Sequence, residues 1–346
     1  LALWDSSLAQ ISLQTQKDWV EWMKQEILKD NRIKLNEGSL EIGRGLTLIV
    51  NSKGTHHAEA ETSCVWSLMG MASDNHVLTS FDYFTHLSRK AMGIGDEILK
   101  TTSLFRESLL KSLKIGEGRS YRGPVLFSPR AVLDILLDSL IYHLNGRVIL
   151  DGSSRWKLTD KDKDLLDSKI TLVDSPWLYD RFSCGLFDRE GMPTETLELF
   201  ARGQLKNFLL DNYSAKGLQL SSNGHAVGGA SSIPTVGSHS LCLKGGDKPL
   251  SHLMKESDPS AQGILWINRY SGQTDPVTGD FSGVAKGGEW WVNGEFRYCV
   301  QETLVSGNLF ECLNHNLLAL SSETQVVDSS GESPYALIDG LSVTTI

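Results

Sequence analysis

Apolar and polar positions recur along this chain with two periods, a helical one that prevails early and a strand-like one that prevails from Lys169 onward. Trp19, Met23 and Ile27, with Val20 and Leu28 beside them, predict an amphipathic helix between Lys17 and Lys29. Leu46-Thr47-Leu48-Ile49-Val50 is a β-rich run that stops at Asn51-Ser52-Lys53-Gly54. A second run, Ala58 to Leu68, follows at once, so the pair predicts a hairpin. Residues 75–92 and 95–114 read as helices. Gly116-Glu117-Gly118-Arg119-Ser120 then breaks the pattern with glycine and charge, and marks the expected boundary between an N-terminal α/β domain, 1–118, and a β-rich C-terminal domain, 119–346.

Past that boundary Val125-Leu126-Phe127 predicts a short strand. Ser128-Pro129 supplies an N-cap and a first-turn proline for a helix whose apolar and small face is Ala131, Val132, Ile135, Leu136, Ser139, Leu140 and Leu144, with Gly146 as its end. Strands are expected at Lys169 to Val173 and at Thr196 to Phe200, the latter leading through Arg202-Gly203 into Leu205 to Leu210. Trp290-Trp291-Val292 and Phe296 to Val300 flank Asn293-Gly294, the favoured two-residue hairpin turn. Gly307-Asn308 predicts the start of a last helix through Leu318. Helices segregated from a mainly antiparallel sheet indicate an α+β fold, a helix/sheet domain followed by a β domain with a few helices.

Composition narrows the function. At roughly 150 residues per domain, 346 residues suggest about two domains, and 40% hydrophobic with 22% charged residues is a globular balance. The net charge of −9 lacks the basic footprint of a nucleic-acid binder. Five cysteines (Cys64, Cys184, Cys242, Cys299 and Cys312) are too far apart for a CxxC pair, which points to reduced thiols in the cytoplasm. No stretch approaches the roughly 18–20 apolar residues of a membrane span. Leu1-Ala2-Leu3-Trp4-Asp5 has neither an initiator Met nor a signal-peptide layout, so the chain is expected to begin inside a longer protein.

The common catalytic signatures are missing. Nothing fits a P-loop, Gly116-x-Gly118 with Gly123 is misspaced for a dinucleotide loop, and Gly279-Asp280-Phe281-Ser282-Gly283 puts its serine one place late for a nucleophile elbow. No HExxH occurs. The densest metal-ligand cluster is His56-His57 with Glu59 and Glu61; on a strand His57, Glu59 and Glu61 share one face, which suits either a metal or a plain exposed polar face. His143 reads as a packed or surface residue, and His225 in Ser222-Asn223-Gly224-His225 as a turn residue. Three glycine-centred segments, Asp188-Arg189-Glu190-Gly191-Met192-Pro193, Thr278 to Gly283 and Ser306-Gly307-Asn308-Leu309, read as tight structural turns from physics alone.

In this order, those three segments resemble the TldD/PmbA (TldE) family of peptidase-related proteins, once called modulators of DNA gyrase. Val50-Asn51-Ser52-Lys53-Gly54, Gly123-Pro124-Val125-Leu126-Phe127-Ser128-Pro129 and Gly203 to Asp211 with Tyr213-Ser214-Ala215 extend the resemblance over nearly the whole chain. TldD-like members carry HExxxH on a helix, with a downstream cysteine as third zinc ligand. PmbA-like members keep the scaffold without the metal. Setting Gly146 against the glycine after that motif puts Leu137 at the first His, Asp138 at the Glu and Tyr142 at the second His. Asp328 to Pro334 has no cysteine where the third ligand would lie.

The resemblance therefore implies the PmbA branch: no metal or cofactor in this chain, with zinc in a TldD-like partner. It also implies a cytoplasmic metalloprotease complex, or self-association as a dimer, acting on unfolded peptides. Zinc hydrolysis needs about three protein ligands and an open position for water, and neither leucine nor a neutral phenol provides a ligand. One competing expectation is a divergent metallopeptidase holding zinc through His56, His57 and Glu59. Another is a homodimeric peptide-binding protein. Trp266, Trp290 and Trp291 fit either a subunit contact or the core.

Overall fold

Ser12 caps the first long helix by accepting the Thr15 N–H, and the helix runs Leu13–Ile27 in the computed structural model, which describes residues 3–255 and 262–345. Trp19, Met23 and Ile27 are its buried stripe. They join Ile94, Ile98, Phe105 and Leu109 of the helix Ile94–Lys111, and Cys64, Trp66, Leu68 and Ala72 of a sheet, in one core. The sheet is built on a hairpin, Ile33–Val50 against His56–Asp74, much longer than its β-rich runs alone predict. The Asn51 carboxamide oxygen accepts the Lys53 and Thr55 N–H groups and shapes the turn.

The helix expected over 75–92 does not form. Val77–Leu78 and Asp82–Ser88 are strands, and Asp82–Ser88 pairs with residues 64–70 of the long hairpin. An open sheet edge supplies ladder partners to a β-rich run, Tyr83-Phe84-Thr85, and tertiary pairing overrides any helical reading.

A second, larger core draws on residues from Val125 to Val343. Its sheet counts 14 strands among the described residues. Tyr121–Phe127 lies at the centre, between Gly331–Thr345 (antiparallel) and Ile264–Ile267 (parallel). The sheet is thus mixed, although antiparallel ladders dominate, and the fold is α+β. Asn293-Gly294 forms the expected hairpin turn with φ of 53° and 79°, and Arg202-Gly203 does the same with 50° and 81°.

Three further expectations are corrected. The helix from Asn308 to Leu318 is a single turn, Leu309–Cys312. Asn308 caps it through the Phe310 and Glu311 N–H groups, but Leu317–Val327 then pairs as a strand with Gly331–Thr345. The strand Leu205 to Leu210 shrinks to Gln204–Leu205. The helix begun at Pro129 stops at Leu144 because Asn145 is extended, and Gly146 opens a new short helix instead of ending the old one.

Candidate functional site

The Pro129–Leu144 helix is composite. Ser128 Oγ accepts the Ala131 N–H at 3.1 Å and donates to the Asn268 carbonyl at 2.6 Å, which fixes the start. Val132–Leu137 then adopts π-helical winding before the α-helix resumes at Asp138. Such bulges shift the register of the residues that follow, and they recur at functional sites.

The three aligned positions lie at the end of this winding and in the α-helix after it. Leu137 is completely buried in the larger core. Tyr142 is half-buried, its ring edge-on to His143 at 5.3 Å. Asp138 is exposed and opens on a cleft of about 370 Å³ that it shares with Asp134, His239 and Gly331. Leu137 thus faces the core, whereas Asp138 and Tyr142 keep contact with solvent. The turn at Asp328, between Leu317–Val327 and Gly331–Thr345, is tied elsewhere, since Asp328 pairs with Arg130 at 2.6 Å and accepts the Thr85 N–H. Leucine, aspartate and tyrosine so disposed do not fit a zinc ion.

The hairpin cluster does not fit one either. His56 is exposed on the face opposite His57. His57 stacks on Phe187 at 5.3 Å. Glu59 Oε2 accepts the Leu186 N–H at 2.8 Å, and burial pushes its carboxyl up. Glu61 pairs with the buried Arg89 at 2.5 Å. The face is engaged in holding loop 182–187, so neither an open polar face nor a ligand set describes it.

Among the described residues, the group of His, Cys, Asp and Glu side chains able to hold a metal is Asp174, His225 and His239, with one ligand atom from each within 4.8 Å of the others. Asp174 ends the strand Leu172–Asp174 and is fully buried. Its Oδ1 accepts the Ser240 N–H at 2.6 Å; its Oδ2 accepts the His239 N–H at 2.8 Å and lies 3.0 Å from His225 Nε2. His225 Nδ1 faces Asn223 Oδ1 at 2.8 Å. That amide cannot be flipped, because Nδ2 donates to the Phe208 carbonyl and Oδ1 also accepts the Leu210 N–H. His239 Nε2 donates to the Gly224 carbonyl at 2.7 Å, and burial holds its pKa below the usual histidine value. Gly224 has φ +77°, and a Cβ there would stand 2.5 Å from the Pro193 carbonyl oxygen, so only glycine presents that carbonyl.

His225 is therefore the centre of a buried polar network and not a turn residue. Asp174 and His239 were not legible as partners: they lie 51 and 14 positions from His225, and no local spacing joins them. His143 is packed as expected, against Trp156 and Phe310, with Nδ1 accepting the Arg155 N–H and its pKa lowered by burial.

Of the three glycine segments Asp188 to Pro193 is the turn expected, whereas Asp280 to Gly283 and Ser306 to Asn308 are antiparallel strands paired with each other. Asp188 Oδ1 accepts the Glu190 and Met192 N–H groups while Oδ2 accepts that of Ala226. Asn308 Nδ2 donates to both the Thr278 carbonyl and Asp280, lashing the other two segments together. All five cysteines are free, and burial pushes the thiols up to about 12 at Cys64, Cys299 and Cys312 and to about 11 at Cys184 and Cys242. None is a poised nucleophile. Among the described residues no helix is long and apolar enough to cross a membrane.

Comparison with known proteins matches residues 120–345 to a family described as the PmbA/TldA metallopeptidase C-terminal domain. The metalloprotease PmbA of Escherichia coli O157:H7 is 28% identical over 287 residues, 81% of this chain and 59% of the relative. The PmbA homolog of Buchnera aphidicola (Acyrthosiphon pisum) is 24% identical over 306 residues, 85% of this chain and 62% of the relative. The chain thus spans about three fifths of the length of these relatives. TldE from Thermococcus kodakarensis shares the fold, with a TM-score of 0.85 at 19% identity over 99% of this chain and 76% of that one.

Proposed function

This chain belongs to the PmbA/TldD metallopeptidase-related family, and from that premise we propose that it is a PmbA/TldE-like subunit that hydrolyses no peptide by itself. In this reading a TldD-like partner supplies the zinc and the bond cleavage, in a cytoplasmic complex that takes unfolded peptides. The observation that carries the reading is Leu137, which stands where the first histidine of the family's metal helix would be and is wholly buried. An aliphatic side chain turned into the core offers no electron pair, and Tyr142 offers only a neutral phenol, a poor ligand. Asp138 keeps a carboxylate at the cleft, but water without a metal stays near its ordinary pKa of about 15.7 and a carboxylate alone activates it poorly.

The test is to purify the chain alone, a TldD-like subunit alone, and the two together, and to follow cleavage of an unstructured peptide. The expected result is no turnover by this chain, co-purification of the pair, and turnover by the pair that a chelator abolishes. Chelator-sensitive cleavage by this chain alone, lost in D138N, overturns the reading. Self-association with no binding of the partner overturns the heteromeric part of it.

A further inference from the structure

We propose that Asp174, His225 and His239 form a binding site for a divalent cation of the zinc class, buried behind the cleft that His239 shares with Asp138. This goes beyond the subunit role proposed above and does not depend on it.

The argument begins with where the protons must be. Asn223 Oδ1 is held as an acceptor by its own neighbours, so His225 Nδ1 carries a proton. His225 Nε2 then faces Asp174 Oδ2 at 3.0 Å with both side chains wholly buried. A lone pair against a carboxylate oxygen at that distance is repulsive, so a positive centre must sit between them, either a proton or a metal ion. The third residue distinguishes these. An Asp–His ion pair is complete without another imidazole, yet the His239 ring lies 4.9 Å from that of His225. Its Nε2–H is spent on the Gly224 carbonyl, which leaves the Nδ1 lone pair free.

Two imidazoles, each pinned through its far N–H by a fixed carbonyl oxygen, beside a carboxylate anchored by two backbone N–H groups, is the arrangement that orients metal ligands. The 3.0 Å between His225 Nε2 and Asp174 Oδ2 spans a metal with bonds of about 2.1 Å at an angle of about 90°, and a few tenths of an ångström of opening reaches tetrahedral values. Borderline nitrogen and carboxylate donors favour zinc and its first-row neighbours over calcium or magnesium. Access is also present. His239 is only partly buried and lines two clefts, one with Asp134 and Asp138, the other under the hairpin with Glu59, Glu61 and Asp188. The first presents the exposed carboxylates of Asp134 and Asp138 to an entering cation.

The experiment uses the purified chain stripped of metal by dialysis against a chelator. Zn²⁺ is titrated in competition with a chromophoric chelator, and Co²⁺ serves as a spectroscopic probe. The expected result is one Zn²⁺ per chain and visible Co²⁺ bands of a low-coordinate, imidazole-bound ion. Affinity should fall at least tenfold in H239Q and the bands should change, while H57A leaves both unaltered. H225A removes a fully buried ring and can fail to fold, so H239Q, at a partly exposed position, is the deciding variant, with circular dichroism as its fold control. No stoichiometric uptake by the wild-type chain leaves the proton between His225 and Asp174 and overturns the site. Uptake unchanged in H239Q, or lost in H57A, also overturns it. Uptake without peptide cleavage supports the site and leaves the subunit reading standing, whereas uptake with H239Q-sensitive cleavage by the chain alone supports the site and refutes that reading.

Discussion

Lys111 Nζ lies 2.6 Å from Glu289 Oε2 and at the same time over the rings of Trp291 and Phe296, at 5.1 and 4.3 Å from their centroids. Trp291 Nε1 donates to the same carboxylate oxygen at 2.8 Å. The last residue of the helix Ile94–Lys111 is thereby fastened to the hairpin Glu289–Val300 of the larger sheet. Trp291, only partly buried, belongs to this packing.

Substituting K111M keeps the apolar stem and removes the charge. Glu289 is mostly buried and would lose its cation, so the expected cost is about 1–2 kcal/mol, below that of a fully buried pair because Lys111 keeps some contact with water. Chemical denaturation measures this. Adding E289Q should recover part of the loss, and a strictly additive double mutant would show that the two side chains do not interact.

Restoring imidazoles at the family's metal positions should not restore the metal. L137H places a polar ring in a fully buried site and is expected to cost about 3 kcal/mol. L137H/Y142H should take up no additional zinc per chain, since Asp328 to Pro334 still offers no cysteine as third ligand. Elemental analysis together with thermal unfolding checks both halves. A second equivalent of zinc in the double variant would show that the helix can hold a metal without that cysteine.

Asp211 and Arg147 form a hydrogen-bonded ion pair through Nε at 2.8 Å, with the carboxylate wholly buried. Burial alone would raise the Asp211 pKa, but hydrogen bonds from Arg147 and Ser214 outweigh it and the pKa is lowered. A depressed acid contributes stability that is fully present above the unfolded value of about 3.9 and is lost as pH falls through the folded value. D211N should therefore cost about 3 kcal/mol near neutral pH, and the difference from wild type should narrow in acid below about pH 4. Urea midpoints measured from pH 7 to pH 3 test this, and a pH-independent difference would contradict it.

Gly203 has φ +81°, and a Cβ on it would stand 2.2 Å from the Leu166 carbonyl oxygen, a backbone atom that cannot swing away. G203A is expected to lose more than about 2 kcal/mol. The neighbouring Arg202, at φ +50°, occupies the other left-handed position of the same turn, so R202N should gain a few tenths of a kcal/mol. Equal effects of the two substitutions on the melting temperature would exclude a turn-based origin.

Local chemistry in the chain was enough for elements whose signals are short in range. The helix expected between Lys17 and Lys29, which forms as Leu13–Ile27, the Asn51 turn, the Ser128-Pro129 helix start and the Asn293-Gly294 hairpin each follow from a few adjacent residues, because capping, turn geometry and period act over one or two turns of chain. That positions 137 and 142 carry leucine and tyrosine, and that no HExxH occurs, was equally plain. What tertiary structure decided was everything that needed a partner from far away. Asp82–Ser88 became a strand because an open edge stood beside it, and the long strand Gly331–Thr345 found its ladders across the molecule. Glu59 and Glu61, ligand candidates by spacing, became anchors for loop 182–187 and Arg89. Asp174, His225 and His239 converge only after three separate segments have packed. Side-chain chemistry is written residue by residue, but a site is a set of distances, and those exist only once burial has paid the entropy of bringing distant segments together.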